Sequence, residues 1–236
     1  MRATVKETRE VARETLMVVF DLLGEEVEFE PGQYFFVNLI DPPYEDERGP
    51  RRHFSVVTSP AEKGVLGFCT RLRDSGFKRS LRELQVGDEV DVEPPKGKFV
   101  LPEDATRELV FVAGGIGITV FRSMLLHIAE QRLPYRVTLM YSNRTPADAA
   151  FLDELHALAA ANEHVALVLT MTDDPDWDGE RRPFDARFFR EHLGGRLGEV
   201  TFMVAGPPGM VDAMKAELTE AGAAEEHVLT DRFAGY

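Results

Sequence analysis

Leu109-Val110-Phe111-Val112-Ala113-Gly114-Gly115-Ile116-Gly117-Ile118-Thr119 is the stretch that decides the fold. An apolar run rich in β-branched residues stops at glycines, and apolar residues then recur at helical spacing up to Ile128. This order predicts a buried parallel strand, a tight turn and the start of a helix. Glycines at such a turn let backbone N–H groups approach a phosphate, with the positive end of the helix dipole behind them. A helix packed tightly on its strand without any ligand predicts the same pattern.

Downstream of this stretch, apolar strand segments alternate with amphipathic helical ones. We predict strands at 137–141, 165–171 and 201–205, and helices at 118–131, 147–160, 186–193 and 208–221. The alternation indicates a doubly wound α/β domain on a parallel five-stranded sheet. Ligands of such sheets bind beyond the C-terminal strand ends, where Gly206-Pro207-Pro208-Gly209 would line a crevice together with the first turn. A plain loop before a helix is the alternative for this second turn.

The first hundred residues carry a different pattern, in which short alternating segments are separated by proline and glycine turns. Strands are predicted at 16–22, 34–40, 53–57, 65–72 and 89–92, after an alternating N-terminal strand, with one helix near 77–84. Regular short strands of this kind indicate a closed barrel or a sandwich. The change of pattern near Pro102 predicts two domains, at residues 1–102 and 106–236.

The composition excludes several classes of protein. The single cysteine, Cys69, excludes a disulfide within the chain, a cysteine-ligated iron–sulfur cluster and a four-cysteine zinc site. A formal charge of −14 argues against general affinity for nucleic acid or anionic membranes. No apolar run approaches the roughly 20 residues that span a bilayer, and the first residues lack the apolar core of a signal peptide. These two features lead us to expect a cytoplasmic protein. We also expect no metal site, since the histidines lack metal-ligand spacing.

Arg51-Arg52-His53-Phe54-Ser55 is the most distinctive segment of the first domain. An arginine can hold a phosphate through two hydrogen bonds, an aromatic ring can lie against a planar ligand, and a hydroxyl can hydrogen-bond a ring atom. On its own, the segment is better explained by a core position for Phe54 and a surface ion pair for Arg52.

Five segments, in order, resemble those of the ferredoxin–NADP reductase superfamily. Arg52-His53-Phe54-Ser55 is similar to its R-x-[YF]-S flavin motif, and residues 113–119 are similar to its nucleotide turn, GGxGITP. The other three are residues 29–34 (F-x-P-G-Q), 206–210 (G-P-x-x-M) and 233–236 (F-x-G-Y). The resemblance implies a Greek-key antiparallel β-barrel that binds FAD, followed by the α/β domain that binds NAD(P).

The resemblance also implies roles for the barrel residues. Arg52 would bind the FAD pyrophosphate, Phe54 would stack on the isoalloxazine, and Ser55 would approach its reactive nitrogen. His53 lies within the same motif. A short helix that follows would hold the flavin phosphates, and the residues of that region are Arg71, Gly76, Lys78, Arg79 and Ser80.

In the second domain the implied roles concern the nicotinamide nucleotide. The residues expected at NAD(P) are Gly115, Gly117, Ile118, Thr119, Arg144, Gly206, Pro207 and Met210. Tyr236 would cover the flavin face on which the nicotinamide lands, and Asp231 would help to position the ring. Arg144 follows the second strand where a 2′-phosphate could bind, which favours NADPH slightly over NADH.

The implied activity is hydride transfer from NAD(P)H to FAD, followed by release of electrons to an external acceptor such as ferredoxin, flavodoxin or an oxygenase component. Ser55, Asp231 and Tyr236 would orient the reacting rings. Ala205 stands where many members of the superfamily carry a cysteine beside the nicotinamide, which argues against assistance by a thiol, and hydride transfer itself needs none. Two alternatives stay open: a free flavin or ferric reductase that uses flavin as a substrate, and a non-catalytic nucleotide-binding module on the same fold.

Overall fold

The computed structural model describes residues 1–233, so that Tyr236 lies outside the described residues. Six strands in the first part of the chain pair into one antiparallel sheet of order β4-β3-β6-β1-β2-β5. They are β1 Arg2–Ala12, β2 Thr15–Asp21, β3 Tyr34–Leu39, β4 Arg51–Ser55, β5 Val65–Arg71 and β6 Glu89–Val92. Strand β6 returns to lie beside β3, as the fourth strand of a Greek key made of β3, β4, β5 and β6 does.

The two edge strands of this sheet come together and close a barrel. Beyond the end of β4, the backbone N–H of Val57 donates to the carbonyl of Gly67 in β5 at 2.8 Å. The rings of Phe54 and Phe68 stack across the same closure with their centroids 4.0 Å apart. Helix α1, Gly76–Glu83, follows β5 and begins at Ser75, whose side chain accepts from the backbone N–H of Lys78.

Five parallel strands form the second sheet, in the order β11-β10-β7-β8-β9. They are β7 Leu109–Gly114, β8 Val137–Asn143, β9 Val165–Met171, β10 Thr201–Gly206 and β11 Val228–Arg232. The helices are α2 Ile118–Gln131, α3 Leu152–Ala161, α4 Ala186–Leu193 and α5 Pro208–Ala221. Every residue of β7 up to Ala113 is buried, because helices cover the central strands of such sheets on both faces. The predicted two-domain fold is confirmed.

Two elements differ from their predictions. The predicted helix at 147–160 begins only at Leu152, after a separate 3₁₀ turn at Pro146–Asp148. Phe151 has a φ of 62°, a left-handed conformation that cannot continue a helix, and it separates the two segments. Strand β11 was not located in the sequence pattern, since three of its five residues are polar and none of the five is buried at the sheet edge.

Contacts divide the chain into two compact units, one of Met1–Leu101 with Thr119–Glu130 and the other of Pro102–Ile118 with the chain from Gln131 onward. Helix α2 belongs to the first unit. There Arg122 Nη1 donates to the carbonyl of Val57 at 2.7 Å, and Ser123 Oγ donates to that of Thr58 at 2.7 Å. No helix among residues 1–233 is long and apolar enough to cross a membrane.

Candidate functional site

Arg52 is a buried cation in the first unit. Its side chain is 9% exposed, and Nη2 donates to Asp46 Oδ1 at 2.6 Å. Its Nη1 donates to the carbonyls of Arg48, Gly49 and Arg51 at 3.0, 2.7 and 2.9 Å. The guanidinium is therefore held by the loop between β3 and β4. Arg52 does form an ion pair, but a buried one and not the surface pair that the sequence alternative predicts.

The same Asp46 carboxylate reaches the N-terminus of α1. Its Oδ2 accepts from the backbone N–H of Phe77 at 3.0 Å. This backbone donor and the Arg52 guanidinium hold the pKa of Asp46 below its usual value. A helix N-terminus beside a buried guanidinium is a donor set that suits a phosphate, so these residues fit the flavin pyrophosphate that the sequence motif implies.

Lys78 is a second buried cation on α1. It is 7% exposed, and its Nζ donates to Thr70 Oγ1 and to the carbonyl of Arg71, the latter at 3.0 Å. Burial, together with the neighbouring Arg52, lowers the pKa of Lys78 to about 7. The ammonium lies 5.5 Å from the centre of the Phe54 ring. The Lys78 ammonium is therefore held against the end of β5, near the Phe54 ring.

Gly76, Arg79 and Ser80 all meet the chain around Tyr44. A Cβ on Gly76 would overlap the backbone of Glu45, so only glycine fits this approach. Ser80 Oγ donates to the carbonyl of Tyr44 at 3.1 Å and accepts from its N–H at 3.2 Å. The guanidinium carbon of Arg79 lies 4.9 Å from the centre of the Tyr44 ring.

The structure gives the positions of three residues of the flavin motif. Phe54 is 2% exposed and its ring stacks on that of Phe68, so it is part of the barrel core, and its stacking on the isoalloxazine stays a prediction. The His53 side chain projects from the opposite face of β4, beside Tyr34, because side chains alternate along a strand. Burial lowers the pKa of His53. Ser55 is buried at the end of β4, and its role at the flavin stays a prediction.

The turn after β7 requires glycine at two positions in the second unit. Gly115 has a φ of +51°, and it begins the 3₁₀ turn Gly115–Gly117 that leads into α2. A Cβ on Gly117 would overlap the carbonyl group of Ala205 at the end of β10. The glycines thus let the turn contact β10, and they place the backbone of Gly115, Gly117 and Ile118 at the end of the sheet. Thr119 is buried in the first turn of α2.

Met210 lies between the ends of β7 and β10. A Cβ added at Gly114 would be 2.8 Å from Met210 Sδ, and one added at Gly206 would be 2.7 Å from it. Pro207 precedes α5, and its carbonyl accepts from the backbone N–H of Met210 at 3.0 Å. The structure therefore brings the two glycine-rich strand ends together around one thioether.

Asp231 lies in the neighbouring strand, where it pairs with Ala205 of β10. Burial raises the pKa of the Asp231 carboxyl to about 6. The chain beyond it stays close to β10, since the N–H of Phe233 donates to the carbonyl of Gly206 at 2.9 Å.

We predict that Asp231→Asn stabilises the protein at neutral pH. A carboxyl whose folded pKa exceeds its unfolded value contributes stability below the unfolded pKa, and that stability is lost as the pH rises through about 6. The asparagine variant has no carboxyl to ionise, so it does not lose this stability. At pH 7.5 its free energy of unfolding should exceed that of the wild type by about 1–2 kcal/mol, after allowance for partial exposure. The difference should shrink towards pH 4.5. Urea unfolding at both pH values measures it, with the exposed Asp176→Asn as the control. An equal gain at both pH values would contradict the assignment.

Sequence analysis missed Asn143 and Asp46. Asn143, the last residue of β8, is 6% exposed, and neither polar atom of its amide has a hydrogen-bond partner among the described residues. Such a group has unmet hydrogen-bonding capacity at the strand ends where ligands bind. The adjacent Arg144 is exposed, and its carbonyl accepts from the N–H of Asp173 at 2.9 Å. In the sequence, the only feature that could have marked Asn143 as a candidate site residue is its position at the end of a predicted strand.

Family models match both halves of the chain. Residues 2–101 match the oxidoreductase FAD-binding domain, and residues 111–216 match the oxidoreductase NAD-binding domain. Among residues 1–233, no group of three or more histidine, cysteine or acidic side chains could hold a metal ion.

Curated relatives and a solved structure agree with these matches. The reductase component of phenol 2-monooxygenase from a Pseudomonas species is 30% identical over 87% of this chain and 58% of that protein. The electron transfer component of anthranilate 1,2-dioxygenase from Acinetobacter baylyi is 32% identical over 88% and 59%. The chain thus spans about three fifths of the length of these relatives. The crystal structure of an Amycolatopsis cytochrome P450 reductase is 26% identical with a TM-score of 0.83, covering 99% of this chain and 70% of that one. The chain belongs to the ferredoxin–NADP reductase superfamily, with an FAD-binding barrel followed by an NAD-binding α/β domain.

Proposed function

We propose that the chain is a flavin-dependent NAD(P)H oxidoreductase that delivers electrons to an external acceptor. One observation carries this proposal. Arg52 and the N-terminus of α1 both donate hydrogen bonds to one anionic group, the Asp46 carboxylate, within a domain of the FAD-binding family. The glycine-rich ends of β7 and β10 supply the matching backbone donors in the NAD-binding domain. The domains proposed for these two roles are residues 1–102 and 106–236.

In this proposal the protein's residues bind and orient, and the cofactor supplies the redox chemistry. When bound, FAD would supply the capacity to take a hydride from NAD(P)H and to release electrons singly. Arg52 and the N–H of Phe77 hold the flavin phosphate, and Lys78 adds positive charge beside them. The backbone of Gly115 to Thr119 holds the dinucleotide phosphate, while Asp231 and Ser55 orient the rings.

An oxygenase component is the acceptor we favour, with ferredoxin and flavodoxin as further candidates. Support comes from relatives whose names describe reductase or electron transfer components of oxygenases. The exposed Arg144 favours NADPH over NADH to a small extent, and a comparison of kcat/KM for the two nucleotides decides it. The cytoplasmic location stays a prediction.

The decisive experiment is spectroscopic. We expect the purified protein, as isolated or after reconstitution, to show a flavin absorption spectrum, and chromatography of the released cofactor should identify FAD. Anaerobic addition of NADPH or NADH should bleach that spectrum, and an artificial acceptor should restore it. A protein that stays colourless after incubation with FAD would overturn the proposal.

One observation favours a second candidate, the reductase that uses free flavin as a substrate. The donors proposed for the flavin phosphate are engaged by Asp46, and such competition weakens the retention of flavin. Loss of FAD on gel filtration, with sustained reduction of added flavin by NAD(P)H, would identify this activity.

A further inference from the structure

Residues 44–49, named here the 44–49 loop, converge on the groups proposed to hold the flavin phosphate. Asp46 pairs with Arg52 and accepts from Phe77, while Tyr44 exchanges hydrogen bonds with Ser80. The carbonyls of Arg48 and Gly49 take further bonds from the Arg52 guanidinium. One short segment therefore contacts both the cationic side and the helical side of the proposed phosphate site.

The Asp46 carboxylate occupies its donors as a phosphate group would. One oxygen, Oδ1, accepts hydrogen bonds from the Arg52 guanidinium at 2.6 Å and from the backbone N–H of Arg48 at 3.0 Å. The other, Oδ2, accepts from the backbone N–H of Phe77, the second residue of α1, at 3.0 Å. An anion with two oxygens directed at a guanidinium and at a helix N-terminus has the chemistry of a phosphodiester bound at the same place.

We propose that Asp46 is an internal competitor for the flavin phosphate, so that phosphorylated flavins bind when the 44–49 loop withdraws from Arg52 and α1. The inference rests on the proposed function, since it places the flavin phosphate at these donors. A carboxylate and a phosphate cannot share them, because two anions at one site repel each other. Asp46 therefore weakens the binding of FAD and FMN, and it leaves riboflavin, which has no phosphate, unaffected.

Withdrawal of the loop would break its hydrogen bonds to Arg52, to α1 and to Glu83. Its bond from Tyr44 to Glu83 is at the surface, with Oη donating to Oε1 at 2.7 Å. A cavity of about 200 Å³ lies beneath the loop and is lined in part by Tyr44, Asp46, Gly49 and Phe77. Gly49, with a φ of +69° and open space around it, ends the loop at a position that tolerates a change of backbone conformation.

The test is flavin affinity, measured on the full chain stripped of flavin. Dissociation constants for FAD, FMN and riboflavin are measured by calorimetry for the wild type, Asp46→Asn and Glu47→Gln. Glu47 is exposed in the same loop, so its variant removes the same charge away from the site. We expect Asp46→Asn to bind FAD and FMN about tenfold more tightly, with riboflavin unchanged, and Glu47→Gln to match the wild type for all three.

Each other outcome is informative. If Asp46→Asn binds FAD no more tightly than the wild type, or riboflavin gains as much as FAD, the inference is wrong and the proposed function stands. If neither protein binds any flavin, the proposed function fails and the inference fails with it. If Glu47→Gln gains as much affinity for FAD and FMN as Asp46→Asn does, the effect comes from the overall charge of the loop, and the role assigned to Asp46 is wrong.

A measurement on the unaltered wild type guards against a misfolded variant. Amide hydrogen exchange is followed with and without saturating FAD. We expect peptides that cover the 44–49 loop to exchange faster with FAD, while the first turn of α1 exchanges more slowly. Greater protection of the loop with FAD would contradict its withdrawal.

Discussion

The substitution Gly117→Ala is expected to lower the free energy of unfolding by about 3 kcal/mol. It should also weaken NAD(P)H binding by about tenfold or more. The physical reason is a backbone clash, since a Cβ on Gly117 would overlap the carbonyl group of Ala205. Backbone atoms in the centre of a sheet cannot yield as a flexible side chain does. Either β10 or the 115–117 turn must move, and both carry the donors proposed for the dinucleotide phosphate.

Gly209→Ala is the matched control for stability. A Cβ at Gly209 meets nothing within 4 Å, and the residue lies in the first turn of α5. Alanine there should leave stability unchanged or raise it by up to about 1 kcal/mol. Urea denaturation gives both stabilities, and quenching of NADH fluorescence gives the nucleotide affinity. A Gly117→Ala variant with the wild-type denaturation midpoint would show that the turn relaxes freely and would contradict the predicted clash.

Removal of the Arg52 side chain has the second large expected effect. Arg52→Ala should weaken FAD binding by about 100-fold, the loss typical of charge-assisted hydrogen bonds to a phosphate. It should also destabilise the fold by about 2 kcal/mol, because the partly buried Asp46 carboxylate keeps its burial and loses its cation. Calorimetric titration with FAD and thermal unfolding measure the two effects separately.

The neighbouring arginine provides the control. Arg51 pairs with Glu93 at the surface, where both side chains are more than 40% exposed, so Arg51→Ala should cost less than about 1 kcal/mol and leave FAD affinity nearly unchanged. The double variant Arg52→Ala with Asp46→Asn should recover part of the lost stability, since no unpaired charge remains. If Arg52→Ala binds FAD as the wild type does, the phosphate is not held at this site.

Much of the fold was predictable because local patterns agreed with the tertiary arrangement. Helices α2, α4 and α5 and strand β9 have the predicted bounds, since each joins a clear apolar period to a start or stop signal. The later start of α3 depended on the left-handed Phe151, a backbone conformation that no sequence pattern marks. The edge strand β11 pairs with β10 alone, so its composition carried little burial signal.

The candidate site was predictable only in part. The sequence alone determined the order of two domains, the glycine turn after β7 and the arginine of the flavin motif, because these features depend on residue type and on spacing along the chain. Tertiary structure alone decided that Asp46 binds that arginine and caps α1, that Phe54 packs on Phe68, and that Gly117 contacts Ala205. These contacts join residues 6 to 88 positions apart, and only the closure of the barrel and the pairing of β7 with β10 bring such residues within bonding distance.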